Sequence, residues 1–190
     1  MLFRSFVATR VDGNMVLEFR GQPAAKVMFE VLESLDEEDR KLFQNGAFIG
    51  RAVDAAQSTF RPGDLLVRNV MGIDPQRHAL AIADDGIRAG VTLQLMVRDA
   101  PSASAELESV LDLAGLESAG AAFGGLAFTC AGRGQSMFGT RDHDAAAIER
   151  RLGPGFPLAG FSANGEIGPV GGQPFLHSFT ASAALFAPRD

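Results

Sequence analysis

The segment LLVRNVMGIDPQRHALAIADDGIRAGVTLQLMVRDA, Leu65–Ala100, decides the fold class. Leu65–Met71 and Ala79–Ala83 are short apolar runs joined by the turn-like Gly72-Ile73-Asp74-Pro75. Asp84-Asp85-Gly86 and Gly90 mark another turn. Val91, Leu93, Leu95 and Val97 then alternate with Thr92, Gln94 and Met96, the period of two that marks a strand. Strands this close in sequence pair antiparallel, because a parallel pair needs a long crossover.

The chain extends this pattern on both sides. Upstream, Phe6–Thr9 and Met15–Phe19 flank Asp12-Gly13-Asn14 and predict a hairpin. Pro23 starts a helix whose apolar stripe is Ala24, Val27, Met28, Val31, Leu32 and Leu35. Ser34 and Glu37 have capping-box spacing for a second short helix, with the acidic Asp36–Asp39 at its positive end. Phe48–Val53 reads as a strand and Arg61-Pro62-Gly63-Asp64 as a turn. Downstream, Asp99 caps a helix over 101–117 that buries Leu107, Val110, Leu111 and Ala114. Gly120–Gly125 is a small-residue loop and Leu126–Ala131 a buried strand. Asp142 caps a helix to Leu152 with Ala145, Ile148 and Leu152 inward, and Pro157–Phe161 and Phe175–Phe186 complete the strands. The order ββ-αα-ββββ-α-β-α-ββ predicts an α+β (mixed α/β) fold, a largely antiparallel sheet covered by helices.

Composition narrows the class. At 190 residues the chain can bury a large core without disulfides or metal. Hydrophobic residues at 46% and charged residues at 21% argue against wholesale disorder. A net charge of −6 argues against a general nucleic-acid binder, which needs a basic face. The 15 Phe with no Trp or Tyr leave no phenol for acid–base work. One Cys cannot form an internal disulfide. No apolar run reaches the ~18 residues of a membrane helix. MLFRSFVATR lacks the apolar core and cleavage site of a signal peptide, so the expected location is the cytoplasm, with no membrane partner.

Most of the unusual chemistry lies between Phe128 and Phe179. Gly132-Arg133-Gly134 follows a strand; the glycines free backbone N–H groups, and Arg133 offers a bidentate fork to a carboxylate or phosphate, or to a structural carboxylate within the chain. It is neither a Walker A motif nor a dinucleotide-binding fingerprint. Cys130 ends an apolar strand, as core or as a thiol activated by the loop and Arg133, with His143 or His177 as candidate bases. In Asn164-Gly165-Glu166-Ile167-Gly168-Pro169 a glycine-flanked carboxylate can accept from an ammonium group, or pair with Arg68, Arg98 or Arg133 and order the loop. Arg68 sits in an apolar strand and must be paired or face a cavity. His177, in FLHSFT, reads as a structural histidine or a ligand contact. Three His and one Cys show no metal-ligand spacing.

VRN (67–69), VRDA (97–100), CAGRG (130–134), GFSANGEIGPVGG (160–172) and LHSFT (176–180) together resemble the FIST C-terminal domain, a sensory domain of bacterial signalling proteins and of some eukaryotic F-box proteins. DGNMVLEFRGQPA (12–24) resembles the entry into it. The resemblance implies small-ligand sensing with amino-acid-like ligands, a signalling protein partner, no cofactor and no established catalysis. It makes residues 1–22 the hairpin or joint to a FIST N-terminal half and 23–190 a FIST C-like domain; apolar surface that such a half would cover favours a homodimer. Residues and resemblance converge on a zwitterion between Arg133 and Glu166, with Arg68 as a second cation. The candidate ligand-binding set is Arg68, Asn69, Cys130, Gly132, Arg133, Gly134, Asn164, Gly165, Glu166 and His177. The alternatives are a protein-interaction scaffold and a Cys130-dependent hydrolase or transferase.

Overall fold

The structure, a computed structural model, describes residues 2–188 apart from 55, 56, 58, 61, 62 and 118–120. Arg61 and Pro62 of the expected turn, and Gly120 of the expected loop, lie outside the described residues. The chain divides into two compact units, Met1–Arg98 with Val170–Gln173, and Asp99–Pro169 with Pro174–Asp190.

The first unit runs β1 (Leu2–Asp12), β2 (Met15–Phe19), β3 (Gln22–Pro23), α1 (Ala24–Ser34), α2 (Glu37–Asn45), β4 (Phe48–Ala52), β5 (Leu65–Asp74), β6 (Ala79–Ile82) and β7 (Thr92–Met96). Its sheet has the order β1-β7-β4-β5-β6-β2-β3, and β1 also pairs with β2, which closes a ring. Every pairing given for it is antiparallel, as short turns require. Closure rests on the length of β1. Its first part, Leu2–Val7, pairs with β7, and Ala8–Asp12 pairs with β2, with register shifts on either side of Arg10. Such irregularities bend a strand and let it serve two neighbours. Gly13, at φ 58°, turns the chain from β1 into β2.

Helix α1 packs Ala24, Ala25, Val27, Met28 and Val31 into a core with Val16, Phe19, Ile49, Leu80, Ile82, Leu93 and Leu95. Helix α2 is capped by Asp36, whose carboxylate accepts from Asp39 N at 2.8 Å. The expected Ser34/Glu37 box does not form, because Ser34 is still inside α1 and donates to Val31 O at 2.7 Å. Strand β5 runs through Gly72-Ile73-Asp74, and the turn falls at residues 75–78, where Asp74 accepts from the N–H groups of Gln76 and Arg77.

The second unit contains α3 (Ala100–Glu117), β8 (Gly124–Cys130), a 3-10 turn (Ala131–Arg133), α4 (Gln135–Phe138), α5 (His143–Leu152), β9 (Leu158–Ala163), β12 (Ala181–Phe186) and, apart from their end residues Val170 and Gln173, β10 (Glu166–Val170) and β11 (Gln173–His177). Asp99 caps α3 as expected, accepting from Ser102 N at 2.7 Å. The central sheet has the order β12-β8-β9. Strand β12 is antiparallel to β8, and β9 is parallel to it from Gly125↔Leu158 to Cys130↔Ala163. The parallel pair needs a crossover, which α4 and α5 supply. Leu107 and Leu111 of α3 and Ala147 and Ile148 of α5 pack on Ala127 of β8. Val110 and Ala145 are exposed, contrary to expectation; Leu107 and Leu111, one turn apart, set the buried stripe of α3. The expected single strand from Phe175 to Phe186 is two, broken at 178–180, where Phe179 takes φ 62°. The glycine-rich block before it is strand β10, which pairs with β11.

Gly160 limits how closely β9 can approach β8. It has φ 156°, and a Cβ there would run into the Ala127 backbone, its carbonyl oxygen first. The close pairing therefore demands glycine. Gly160→Ala is expected to destabilise the second unit by about 2–4 kcal/mol, from overpacking and backbone strain together. Gly172→Ala, with φ 75° but open space around its Cβ, should cost only about 1 kcal/mol. Denaturant midpoints of the two variants check the ordering.

Candidate functional site

Parallel pairing brings two strand ends side by side, with Cys130 opposite Ala163. The chain leaves β8 through Ala131–Arg133 and leaves β9 through Asn164-Gly165. Loops at the carboxyl ends of parallel strands are where α/β sheets gather ligands. Cys130, Gly132, Arg133, Gly134, Asn164, Gly165 and Glu166 thus leave from one edge of one small sheet. The start of β12 adjoins that edge, since Cys130 N donates to Thr180 O at 2.9 Å.

Glu166 is 2% exposed and opens β10, so the expected loop carboxylate is a buried strand residue. Its Oε2 accepts from Thr180 Oγ1 at 2.9 Å and, at 3.4 Å, from Thr180 N. Its Oε1 is buried with no hydrogen-bond partner among the described residues. A buried acceptor left in that condition costs about 1–3 kcal/mol, so Oε1 is where this edge is chemically incomplete. His177 is buried too, and its Nε2 lies 2.9 Å from Gly168 O. A carbonyl oxygen only accepts, so Nε2 carries the proton and ties β11 to β10.

Arg133 is engaged elsewhere. Its Nε and Nη2 donate to Asp144 Oδ2 and Oδ1 at 2.7 and 2.9 Å, and its side chain is 8% exposed. The fork expected to take a ligand carboxylate holds an internal one. Burial works against the charge on Asp144, but the hydrogen bonds and positive charge of Arg133, with a contribution from His143, outweigh it and hold its carboxyl below the usual range. His143 Nδ1 lies 3.0 Å from Asp144 Oδ1, and its Nε2 lies 2.9 Å from Ser104 Oγ on α3. Phe138 stacks on the His143 ring at 3.7 Å, and the Arg133 guanidinium sits 5.2 Å from the Phe138 ring centre.

Cys130 is buried, and its Sγ accepts from Gly132 N at 3.4 Å. The imidazoles considered as its base make their bonds to Ser104, Asp144 and Gly168. Arg68 and Asn69 belong to the first unit, on β5 opposite Ile49 and Phe48. Burial lowers the pKa of Arg68, against the opposing charge of Asp84. Asp84 is itself held by Arg51 Nε at 2.6 Å and Gly86 N at 2.9 Å. Among the described residues, no group of three or more His, Cys, Asp or Glu could hold a metal ion, and no helix is long and apolar enough to cross a membrane.

Sequence reasoning missed Asp144, Ser104 and Thr180. Asp144 had one available signal: an acidic residue in the first turn of a helix, where the dipole favours it, is also free to pair with a nearby arginine. Nothing in one dimension joins Ser104 to His143, which comes 39 residues later.

Comparisons with known proteins add the family. A family model described as the FIST C domain matches residues 24–169. Uncharacterised proteins of Mycobacterium bovis and Mycobacterium tuberculosis are 42% identical over 181 residues, covering 95% of this chain and 46% of each relative. Another uncharacterised Mycobacterium tuberculosis protein is 42% identical over the same length, with 47% of it covered. The chain spans about half the length of the curated relatives it matches. No solved structure matches.

Removing Arg133 leaves Asp144 buried without its main partner. Arg133→Ala is expected to destabilise the second unit by about 3–5 kcal/mol at neutral pH. The folded-state pKa of Asp144 is depressed, so its contribution is complete above the ordinary carboxylate value of about 3.9. It is lost as pH falls through the lower folded value. The stability gap between wild type and variant should therefore narrow below about pH 4, as unfolding curves across pH 2–7 would record.

Proposed function

Since the chain belongs to the FIST C domain family, a sensory, signalling-type family, we propose that its second unit binds a small amino-acid-like ligand, without chemical change, at the carboxyl edge of β8 and β9. The observation that carries this reading is the buried, unpartnered Oε1 of Glu166, beside an Oε2 already held by Thr180. An ammonium group supplies the missing donor, and a charge-assisted bond to a carboxylate is about twice as strong as a neutral one. The exposed Asn164 and Gly165 offer an amide side chain and backbone N–H groups to the rest of the ligand. Gly132 and Gly134 let a ligand approach the β8 loop closely. With the Nε and Nη2 donors of Arg133 given to Asp144, the ligand carboxylate is met by these loop N–H groups. The module works in the cytoplasm and passes its signal to a protein partner.

A second reading, a protein-docking surface, has its own support. Phe161 of β9 is 65% exposed, Ile167 of β10 73% and Leu176 of β11 65%. These apolar side chains suit a partner protein or a second copy of the chain.

Thermal melting with a panel of free amino acids and simple amines tests the first reading. At least one is expected to raise the melting temperature of the wild type. Glu166→Gln keeps the shape and an acceptor for Thr180 but removes the charge, so it should melt near the wild type and lose that shift. A panel that moves nothing, or a shift that survives in Glu166→Gln, counts against the reading; Arg133→Ala is unsuitable here because it should unfold the site.

A further inference from the structure

We propose a second chemistry, independent of the Glu166 edge: Ser104, His143 and Asp144 form an acyl-transfer centre for carboxylic esters. The three groups make an unbroken hydrogen-bonded chain, with Ser104 Oγ 2.9 Å from His143 Nε2 and His143 Nδ1 3.0 Å from Asp144 Oδ1. Those atoms have the roles of a serine nucleophile, its base and the carboxylate that orients the base. Recognition of such a constellation rests on geometry and not on position in the chain.

Each link follows from the one before. Asp144 is buried, and its carboxyl is held in the charged form by Arg133 and His143 against the cost of burial. A carboxylate only accepts, so the nitrogen facing it, Nδ1, carries the proton. In the neutral ring Nε2 then presents its lone pair, and Ser104 Oγ is the donor to it. The bidentate grip of Arg133 fixes the carboxylate in place, and Phe138, stacked on the ring with planes 4° apart, fixes the imidazole. The expected cap does not form: the side chain of Asp142 makes no capping hydrogen bond to α5.

The step balances within the chain and substrate. Ser104 Oγ attacks the ester carbonyl and forms the Oγ–C bond as its proton passes to His143 Nε2. The ester C–O bond breaks, and the leaving alkoxide takes that proton and departs as alcohol. Water attacks the acyl-serine by the same route, releasing the acid and restoring the Ser104 hydroxyl. No oxidant, metal or further co-reactant is needed.

A fluorophosphonate probe tests this on the whole chain. Wild type is expected to be labelled at Ser104, located by peptide mass spectrometry, with fluoride released in equal amount. Ser104→Ala should abolish the label. His143→Gln should slow labelling by about 100-fold or more. Ser102→Ala, two residues away on the same helix, should label like the wild type. Hydrolysis of p-nitrophenyl acetate should follow the same order. Melting curves establish that each variant is folded. Wild type that takes up no label overturns the proposal, as does label that persists in folded Ser104→Ala or proceeds at the wild-type rate in folded His143→Gln. A melting temperature lowered by Ser104→Ala, in a protein whose wild type takes no label, identifies the chain of bonds as a tie between α3 and α5.

Discussion

The second unit depends on how closely β9 approaches β8. A side chain at Gly160 would collide with the Ala127 carbonyl. Because the pairing is parallel and in continuous register, both strands finish together at Cys130 and Ala163. Both following loops therefore start from the same place. Strand β12 pairs with β8 from the other side, so Thr180 adjoins the same end. A hydroxyl from one segment and a carboxyl from another meet there only because three strands were brought into register first. The backbone constraint comes before the chemistry, since a one-residue slip in a strand turns every side chain to the opposite face.

Charge is arranged around a second fixed point, Asp144. Its two oxygens accept three donors, two from Arg133 and one from His143. That count explains why a buried carboxylate can remain charged. It also shows that Arg133, which alone looks like a ligand clamp, has its Nε and Nη2 donors engaged within the chain. A guanidinium buried with its partner in this way fixes that partner's position. What it positions is Asp144, and through it the His143 ring and the bond to Ser104.

The antiparallel strands of the first unit were legible from their alternation and short connections, since both are local properties. Closure of that sheet was not, because it depends on β1 pairing with the distant β7 as well as with its hairpin neighbour β2. The helices were found from their stripes, but Val110 and Ala145 were placed inside when they are outside. Both sit beside the buried positions, and which side of a stripe faces in depends on the surface it meets. The glycine-rich blocks stand out in the sequence, but what they approach is fixed only in three dimensions. Glycines mark a close approach without saying what is approached, and Gly160 owes its role to Ala127, 33 residues earlier. The family was legible because its signal lies in the order of motifs along the chain, which a sequence displays directly.

Glu166 and Arg133 differ in how far the fold satisfies them. Both are charged side chains among glycines at the ends of strands, and their sequence contexts give them equal standing. Burial alone does not divide them either, since both side chains are shielded from water. Satisfaction does. Arg133 meets a carboxylate whose two oxygens match its Nε and Nη2 donors. Glu166 has one oxygen occupied by Thr180 and one that no described group reaches. An interior polar atom without a partner is rare in folded proteins, because water would otherwise have bonded to it in the unfolded chain. Where one persists at a strand end beside glycine-containing loops, a molecule from outside can supply the missing donor. The proposed recognition therefore rests on the group the fold leaves unsatisfied.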